Sequence, residues 1–388
     1  MKKLCSLFLM VVLLLPVAVK ADTTIPVNGK TVLAENAKSV IMLEGQILYE
    51  RDADIKLAPA SMTKMMSLVL IMEAIENGVI HLNDMVTVSE KASGMGGSQI
   101  LLETGEKMSV DDMIKGISIA SANDAVVALA EKIAGSEAEF VNMMNRRAKE
   151  LGLKNTNFKN PHGLDTAEHY SSARDMALIA KELVRHEKIL EYSSIYEDYL
   201  REDTDRKIWL VNTNKLVRFY DGVDGLKTGY TEEAGYCLTA TAKKEGMRII
   251  TVVMGEPDSK TRNAETTELL DYAFATYKIQ NLVSKNDRIG KVKVLKGKEK
   301  YVELMPMEDG TLLNKKIEKN KKATYQVEVK AVKAPVKKGD KIGTLTILID
   351  GKKDRTIDIT VAKKVEKASL LELYWTHIQD IMKGEFGI

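Results

Sequence analysis

Ala58-Pro59-Ala60-Ser61-Met62-Thr63-Lys64-Met65-Met66-Ser67-Leu68 is the stretch from which the rest of the chain can be read. It predicts the start of a helix. A proline's fixed φ and missing N–H cost little just before a first turn, where Pro59 stands. Met65, Leu68, Met72 and Ile75 then recur at helical spacing, and Gly78 follows as a stop. Ser61 and Lys64 are three apart, so they share a face one turn apart. A serine hydroxyl is a weak nucleophile until a base takes its proton, and a neutral lysine can be that base. By itself, Ser-x-x-Lys more often marks a capping serine followed by a solvated lysine.

Two further stretches change that balance. Ser121-Ala122-Asn123 begins a second helical run, Ser-Ala-Asn-Asp-Ala-Val-Val-Ala-Leu-Ala. Lys227-Thr228-Gly229 follows Asp224-Gly225 and leads into Tyr236-Cys237-Leu238-Thr239-Ala240-Thr241-Ala242, whose alternation predicts a strand. Ser-x-x-Lys, Ser-x-Asn and Lys-Thr-Gly, in that order, form the motif set of penicillin-binding proteins and class A β-lactamases. Three coincident motifs are specific where one is not.

The whole chain sets the frame. Its 388 residues suggest two or three domains. With 45% apolar and 29% charged residues it can build a core, and a net charge of +2 offers no argument for nucleic acid. The nineteen methionines, against six phenylalanines and two tryptophans, read as core filler. Lys2 and Lys3, the apolar run Leu7 to Leu15, Pro16 and the small-residue site Val19-Lys20-Ala21 predict a secretory signal peptide over 1–21, its apolar run too short to span well. Cys5 precedes that run, badly placed for lipid attachment. Cleavage leaves Cys237 as the one cysteine, so the exported fold must hold without an internal disulfide.

In order along the chain, residues 22 to 33 read as a leader. Ser39–Leu43 and Gln46–Glu50 around Glu44-Gly45 read as a hairpin that delivers the chain to Ser61. Met85–Val88 is a short strand, and Ala92–Gln99 a glycine-rich mobile loop without the Gly-Lys-Ser/Thr that a phosphate loop needs. Helices follow: one capped by Ser109, the Ser121 helix ending near Gly135, Phe140 to Leu151, and one from Ser172 to about His186. Between the last two lies the turn-rich loop Asn155–Asp165. The apolar strand Ile249–Met254 should pair with the strand after Lys227 across a turn at Lys243–Gly246, and a helix from Thr261 to Tyr277 closes the unit, 22–280.

Past about residue 281 lysine-rich segments alternate with short strands, Val292–Leu295, Tyr301–Leu304, Tyr325–Val329 and Thr344–Ile349, which predicts a small β-sandwich over 281–366. It carries a surplus of about ten positive charges. That surplus suits an anionic wall polymer or membrane surface, and equally a solvated surface that keeps edge strands apart. The tail, 367–388, reads as an amphipathic helix over Ala368–Lys383. Leu370, Leu371, Leu373, Tyr374, Trp375, Ile378, Ile381 and Met382 fill one arc, suited to lying in a membrane interface or to docking on protein. The interfacial reading is preferred because the helix is terminal.

With these pieces in place the chain resembles the low-molecular-mass penicillin-binding proteins, in particular D-alanyl-D-alanine carboxypeptidases of the DacA type. The resemblance runs from about residue 25 to the C-terminus. Beyond the three motifs it rests on Pro161-His162-Gly163-Leu164-Asp165, Ser172-Ala173-Arg174-Asp175-Met176, Gly222-Val223-Asp224-Gly225-Leu226-Lys227-Thr228-Gly229 and Ala234-Gly235-Tyr236. It implies an α+β fold, a β-lactamase/transpeptidase-like domain whose antiparallel sheet is flanked by helices. It implies removal of the terminal D-alanine from peptidoglycan stem peptides, inhibition by β-lactams, and attachment to the outer face of the membrane. By motif position Ser61 is the acyl-accepting nucleophile and Lys64 its base. Ser121 relays a proton and Asn123 holds the substrate's peptide carbonyl. Lys227 supplies charge, Thr228 and Arg262 bind the terminal carboxylate, Gly229 belongs with them to the substrate-binding set, and Ser61 and Tyr230 offer oxyanion N–H groups. Burial and the charge of Lys227 would both push the Lys64 pKa down. Tyr230 stands where relatives carry a small residue or His, and Ala122 where they carry Asp or Gly. Arg262 rests on spacing alone.

A β-lactamase would need a deacylating glutamate in the Asn155–Asp165 loop, which has none. An endopeptidase on wall cross-links would use the same chemistry with another pocket. A non-catalytic wall-binding protein would not need Ser61, Lys64 and Lys227 intact. No cofactor is implied. No metal site is expected, because His81, His162, His169, His186 and His377 are scattered, with no pair on one helix face. His162 reads as structural.

Overall fold

Residues Ser39–Glu44 and Gln46–Arg51 form the expected hairpin, turning at Gly45, whose φ of +58° suits glycine. The structure, a computed structural model, describes residues 32–329 and 331–382. The expected signal peptide over 1–21, Cys5 within it, and the tail beyond Met382 lie outside the described residues. The hairpin is one edge of a five-stranded antiparallel sheet ordered Gln46–Arg51, Ser39–Glu44, Met247–Glu256, Gly235–Lys244, Val223–Thr231. The 235–244 and 247–256 strands pair across the turn at Glu245-Gly246, as expected.

Both faces of this sheet are covered. On one, helix Ser259–Thr276 sets Leu269, Leu270 and Ala273 against Val40, Met42, Leu238, Ala240 and Val253. On the other, Ile41, Leu43, Val252 and Met254 meet the helical half of the domain. Coverage on both sides buries the whole of the expected strand from Cys237 to Ala242, whose residues face helices on either side. The Lys-Thr-Gly segment itself lies within a strand, Val223–Thr231, and the expected strand, Gly235–Lys244, follows it.

A 3-10 turn, Ala60–Thr63, opens helix Lys64–Glu76. That helix runs through the centre of the helical half, and every residue from Lys64 to Met72 is buried, so its apolar surface is not a stripe but the whole circumference. Around it pack helices Val110–Ala120, Asn123–Ala134, Glu137–Glu150 and Ala173–Leu183. Ser109, Ser136, Ser172 and Asp258 each accept a backbone N–H in the first turn of the helix they cap. A short helix, Lys188–Ser193, and a hairpin, Glu197–Leu200 with Ile208–Val211, were not foreseen.

The β-rich part contains the four strands expected and four more: Tyr277–Val283, Gly310–Lys315, Val332–Lys333 and Lys352–Val361. Six strands form one sheet, and Tyr277–Val283 pairs with Gly310–Lys315 in another, so the expected boundary at 280 falls inside a strand. Lys352–Val361 escaped notice because its first half is charged; only Ile357, Ile359 and Val361 point into the core. The tail is helical over Leu370–Met382, with Leu370 88% and Trp375 57% exposed.

Candidate active site

Three segments converge on Ser61. Ala60, immediately before it, sits at φ +47°, a left-handed conformation that a non-glycine residue adopts at some cost. The turn that follows points the Ser61 hydroxyl back along the helix, where Lys64 Nζ lies 3.0 Å from Ser61 Oγ. Lys64 is fully buried and donates a second hydrogen bond to the carbonyl of His162 at 2.7 Å. Burial, and after it the nearby charge of Lys227, hold its pKa well below the ordinary lysine value. A neutral amine in contact with a hydroxyl can accept its proton.

The loop that supplies this carbonyl is built to close approach. Gly163 has φ +89°, and a Cβ there would lie 1.8 Å from the carbonyl oxygen of Ala60. Asn160 Oδ1 accepts from the Gly163 N–H at 2.6 Å, and Ser67 Oγ donates to the Pro161 carbonyl at 2.7 Å. His169 Nδ1 accepts the Lys159 N–H, so its Nε2 carries the proton and donates to Thr63 Oγ1 at 2.8 Å. Burial lowers the His169 pKa to about 4, which keeps the ring neutral. The His162 ring accepts the Leu164 N–H at Nδ1 and faces Glu137 with Nε2, while its backbone carbonyl accepts from Lys64. Glu137, the carboxylate that approaches this loop from outside it, is tied to His162 at 3.6 Å and to Lys91 at 2.5 Å, and its pKa falls to about 2.

The second segment is the break between helices Val110–Ala120 and Asn123–Ala134. Ser121 bridges it with φ +64° and is buried, its Oγ without a hydrogen-bond partner among the described residues. Asn123 Nδ2 donates to the Gly96 carbonyl at 2.7 Å, and its N–H donates to the Ser98 carbonyl. The glycine-rich loop, read as mobile from sequence, is therefore bonded to this wall. Asp124 pins its far end by accepting the N–H groups of Ile100 and Leu102. Asn123 Oδ1 has no partner among the described residues, so the side chain presents an acceptor as well as its remaining N–H.

The third is strand Val223–Thr231. Gly229 lies against the Ser61 turn: a Cβ would meet the Pro59 carbonyl at 2.9 Å and Ala60 Cβ at 3.1 Å. Lys227 points inward and is fully buried; burial, with Arg262 nearby, brings its pKa down to about 7. Thr228 Oγ1 donates to Thr213 Oγ1 at 2.8 Å. Arg262, on helix Ser259–Thr276, bonds Asn263 Oδ1 at 2.9 and 3.1 Å. Tyr230 is 53% exposed and stacks on Tyr236 with ring centroids 4.3 Å apart.

Ser61, Ser121, Thr228, Gly229, Tyr230 and Arg262 line one cleft of about 480 Å³, while Lys64, Asn123 and Lys227 sit buried beneath its floor and walls. Sequence reasoning missed Thr213 in that lining. Its flanks explain its position: Asn212 Nδ2 donates to the Ser193 and Ile195 carbonyls, and Asn214 Nδ2 to the Gly225 carbonyl. Two asparagines around one residue were a readable sign of a backbone bonded by side chains. A larger groove, about 660 Å³, in the β-rich part carries no nucleophile–base pair.

Residues 26–258 match the family described as D-alanyl-D-alanine carboxypeptidase, and residues 277–367 match the penicillin-binding protein 5 C-terminal domain. The chain is 50% identical over 375 residues to D-alanyl-D-alanine carboxypeptidase DacF of Bacillus subtilis, covering 96% of each. It is similar to the crystal structure of penicillin-binding protein 5 from Haemophilus influenzae, with TM-score 0.66, 35% identity, and 86% of this chain and 98% of that one covered. It is also similar to ampicillin-bound penicillin-binding protein D2 of Listeria monocytogenes, with TM-score 0.55, 31% identity, and 62% and 98% covered.

Proposed function

The chain belongs to the D-alanyl-D-alanine carboxypeptidase family, a serine-peptidase group of low-molecular-mass penicillin-binding proteins, and from that premise we propose which residues do its work. Ser61 Oγ attacks the carbonyl of the penultimate D-alanine while Lys64 Nζ takes the hydroxyl proton. The C–N bond to the terminal D-alanine breaks, and its nitrogen receives a proton by way of Lys64 and Ser121. Water then attacks the ester on Ser61, gives its proton to the same base and frees the shortened peptide. The N–H groups of Ser61 and Tyr230 hold the oxyanion, with the N-terminal dipole of helix Lys64–Glu76 behind Ser61. Thr228 and Arg262 hold the terminal carboxylate, assisted by Lys227 when it is protonated. Asn123 holds the peptide backbone of the stem. A β-lactam, which mimics the D-Ala-D-Ala end, acylates Ser61 and leaves slowly.

The observation that supports this assignment best is the 3.0 Å contact between a fully buried lysine amine and the Ser61 hydroxyl. The test is free D-alanine released from diacetyl-L-Lys-D-Ala-D-Ala. Release by the wild type and none by Ser61→Ala is expected; equal release by both would exclude Ser61.

We further propose that residues 1–21 direct export and that residues 22 to about 280 form the catalytic unit, followed by a β-rich module to 366. The tail then lies on the outer face of the cell membrane. No helix among the described residues is long and apolar enough to cross a membrane. The exposed row Leu370, Leu371, Tyr374, Trp375 and Met382 suits interfacial burial instead.

A further inference from the structure

Far from the cleft, near the other end of the Lys64–Glu76 helix, three electron-pair donors face one another. Glu73 lies on that helix, nine residues and about 13 Å along the axis from Lys64. Glu182 is on helix Ala173–Leu183, and His186 follows four residues later. One carboxylate oxygen from each glutamate and one His186 nitrogen lie within 4.8 Å of one another. His186 Nδ1 is 2.8 Å from Glu76 Oε1. A carboxylate oxygen only accepts, so Nδ1 carries a proton, and Nε2 is the ring nitrogen turned toward the two glutamates. Nε2 is buried and has no hydrogen-bond partner among the described residues, and the side chain is nine-tenths buried. A buried ring nitrogen without a hydrogen bond, facing two carboxylate oxygens, marks a place where a cation can be held.

Arg147 supplies part of that charge: it is 2.8 Å from Glu73 and 2.7 Å from Glu182. It engages Oε1 of each, leaving Glu73 Oε2 without a hydrogen bond among the described residues and Glu182 Oε2 bonded to the exposed Arg185 at 3.2 Å. Glu150 also bonds Arg147 at 3.2 Å. Glu73, Glu150 and Glu182 bond the two guanidiniums (Arg147, Arg185) and Glu76 bonds His186, so four carboxylates meet two guanidiniums, a formal excess of two negative charges. One nitrogen and two carboxylate oxygens form a zinc-type donor set, with a fourth position open to water. The Glu76–His186 contact is the outer carboxylate that orients a metal-ligating imidazole.

We propose that Glu73, Glu182 and His186 bind a divalent transition-metal ion of the zinc class, clamping helix Lys64–Glu76 to the end of helix Ala173–Leu183. Binding zinc at bond lengths of about 2.0–2.2 Å would draw the three donor atoms together from separations that now reach up to 4.8 Å. The absence of a histidine pair concealed this set in the sequence: its i,i+4 pair is Glu182 and His186.

The test is calorimetric titration of zinc chloride into chelator-treated protein, repeated with cobalt(II) for its visible absorption. One ion per chain with micromolar or tighter affinity is expected. The affinity should fall at least tenfold in His186→Ala and in Glu182→Gln, about tenfold in Glu76→Gln, and not at all in His81→Ala. Saturating zinc should raise the melting temperature of the wild type by about 3 °C or more, and leave His186→Ala unmoved. Wild-type D-alanine release by the His186 and Glu182 variants certifies that they fold. No binding tighter than 100 μM, on the order of weak surface sites, or equal binding by both variants, overturns the proposal.

Discussion

Replacing Gly163 by alanine should disable acylation without touching any group that meets substrate. The new Cβ would lie 1.8 Å from the Ala60 carbonyl oxygen, 2.4 Å from its carbon and 2.9 Å from Thr63 Oγ1. The first two are backbone atoms and cannot swing aside, so the loop and the Ser61 turn must part by about 1 Å or more. The peptide that moves carries the His162 carbonyl, which accepts from Lys64 Nζ at 2.7 Å, next to the Pro161 carbonyl that accepts from Ser67. An alanine at φ +89° adds about 1–2 kcal/mol of backbone strain, and overpacking about 1–3 kcal/mol. The sum, about 2–5 kcal/mol, corresponds to a melting temperature lower by about 5–15 °C. Displacing the base by about 1 Å should slow acylation by about 100-fold. Gly152 is the control: it has φ +73° but nothing within 4 Å of a would-be Cβ, so Gly152→Ala carries the strain without the collision. The assay is the rate of fluorescent-penicillin labelling beside thermal melts of all three proteins. If Gly163→Ala labels within threefold of wild type and melts like Gly152→Ala, the loop does not position Lys64.

Other expectations concern charge and the tail. Lys227 titrates near 7 in the fold against an ordinary value of 10.5, because burial, and then Arg262, disfavour its charge. Between those values the unfolded chain holds a proton that the native state lacks, so stability rises with pH by up to about 1.4 kcal/mol per unit. Urea midpoints should show wild type gaining about 2 kcal/mol relative to Lys227→Met between pH 7.5 and 9.5; a constant difference would mean that the native lysine stays charged. Glu256, buried and facing Glu265, has its pKa raised to about 9, chiefly by burial and then by that neighbour. Here the native state holds the extra proton between about 4.5 and 9, so stability falls as pH rises. Glu256→Gln should match wild type near pH 4 and exceed it by about 2–3 kcal/mol at pH 8, whereas equal urea midpoints at both pH values would place an ionised carboxylate at 256. Ending the chain after Glu366 should move the protein from membrane pellets to the supernatant, and unchanged pelleting would rule out the terminal helix as the attachment.

Features written in neighbouring residues were legible in the sequence. The 39–51 hairpin, the Ser109 and Ser172 caps and the Glu245-Gly246 turn depend on residues a few positions apart, and all stand in the structure. Ser61 and Lys64 share a turn, so their contact followed from spacing. The depth of Lys64 did not, because it depends on Pro161–Gly163, about a hundred residues on, crossing over it. Thr213 was invisible for the same reason: its role arises where Thr228 and Ile119 meet it, and neither is near in sequence. The Tyr236–Ala242 strand was legible from its alternation, but its burial on both faces was not, because helix Ser259–Thr276, which covers one of them, follows later in the chain.

The claim underlying the rest is that the Ser61 hydroxyl, deprotonated by Lys64, becomes the acyl carrier. Peptide mapping by mass spectrometry after brief exposure to benzylpenicillin tests it most directly. The account predicts one adduct, on the peptide bearing Ser61, absent in Ser61→Ala and formed far more slowly in Lys64→Ala. An adduct on another residue, or a Lys64→Ala protein acylated at the wild-type rate, would contradict it.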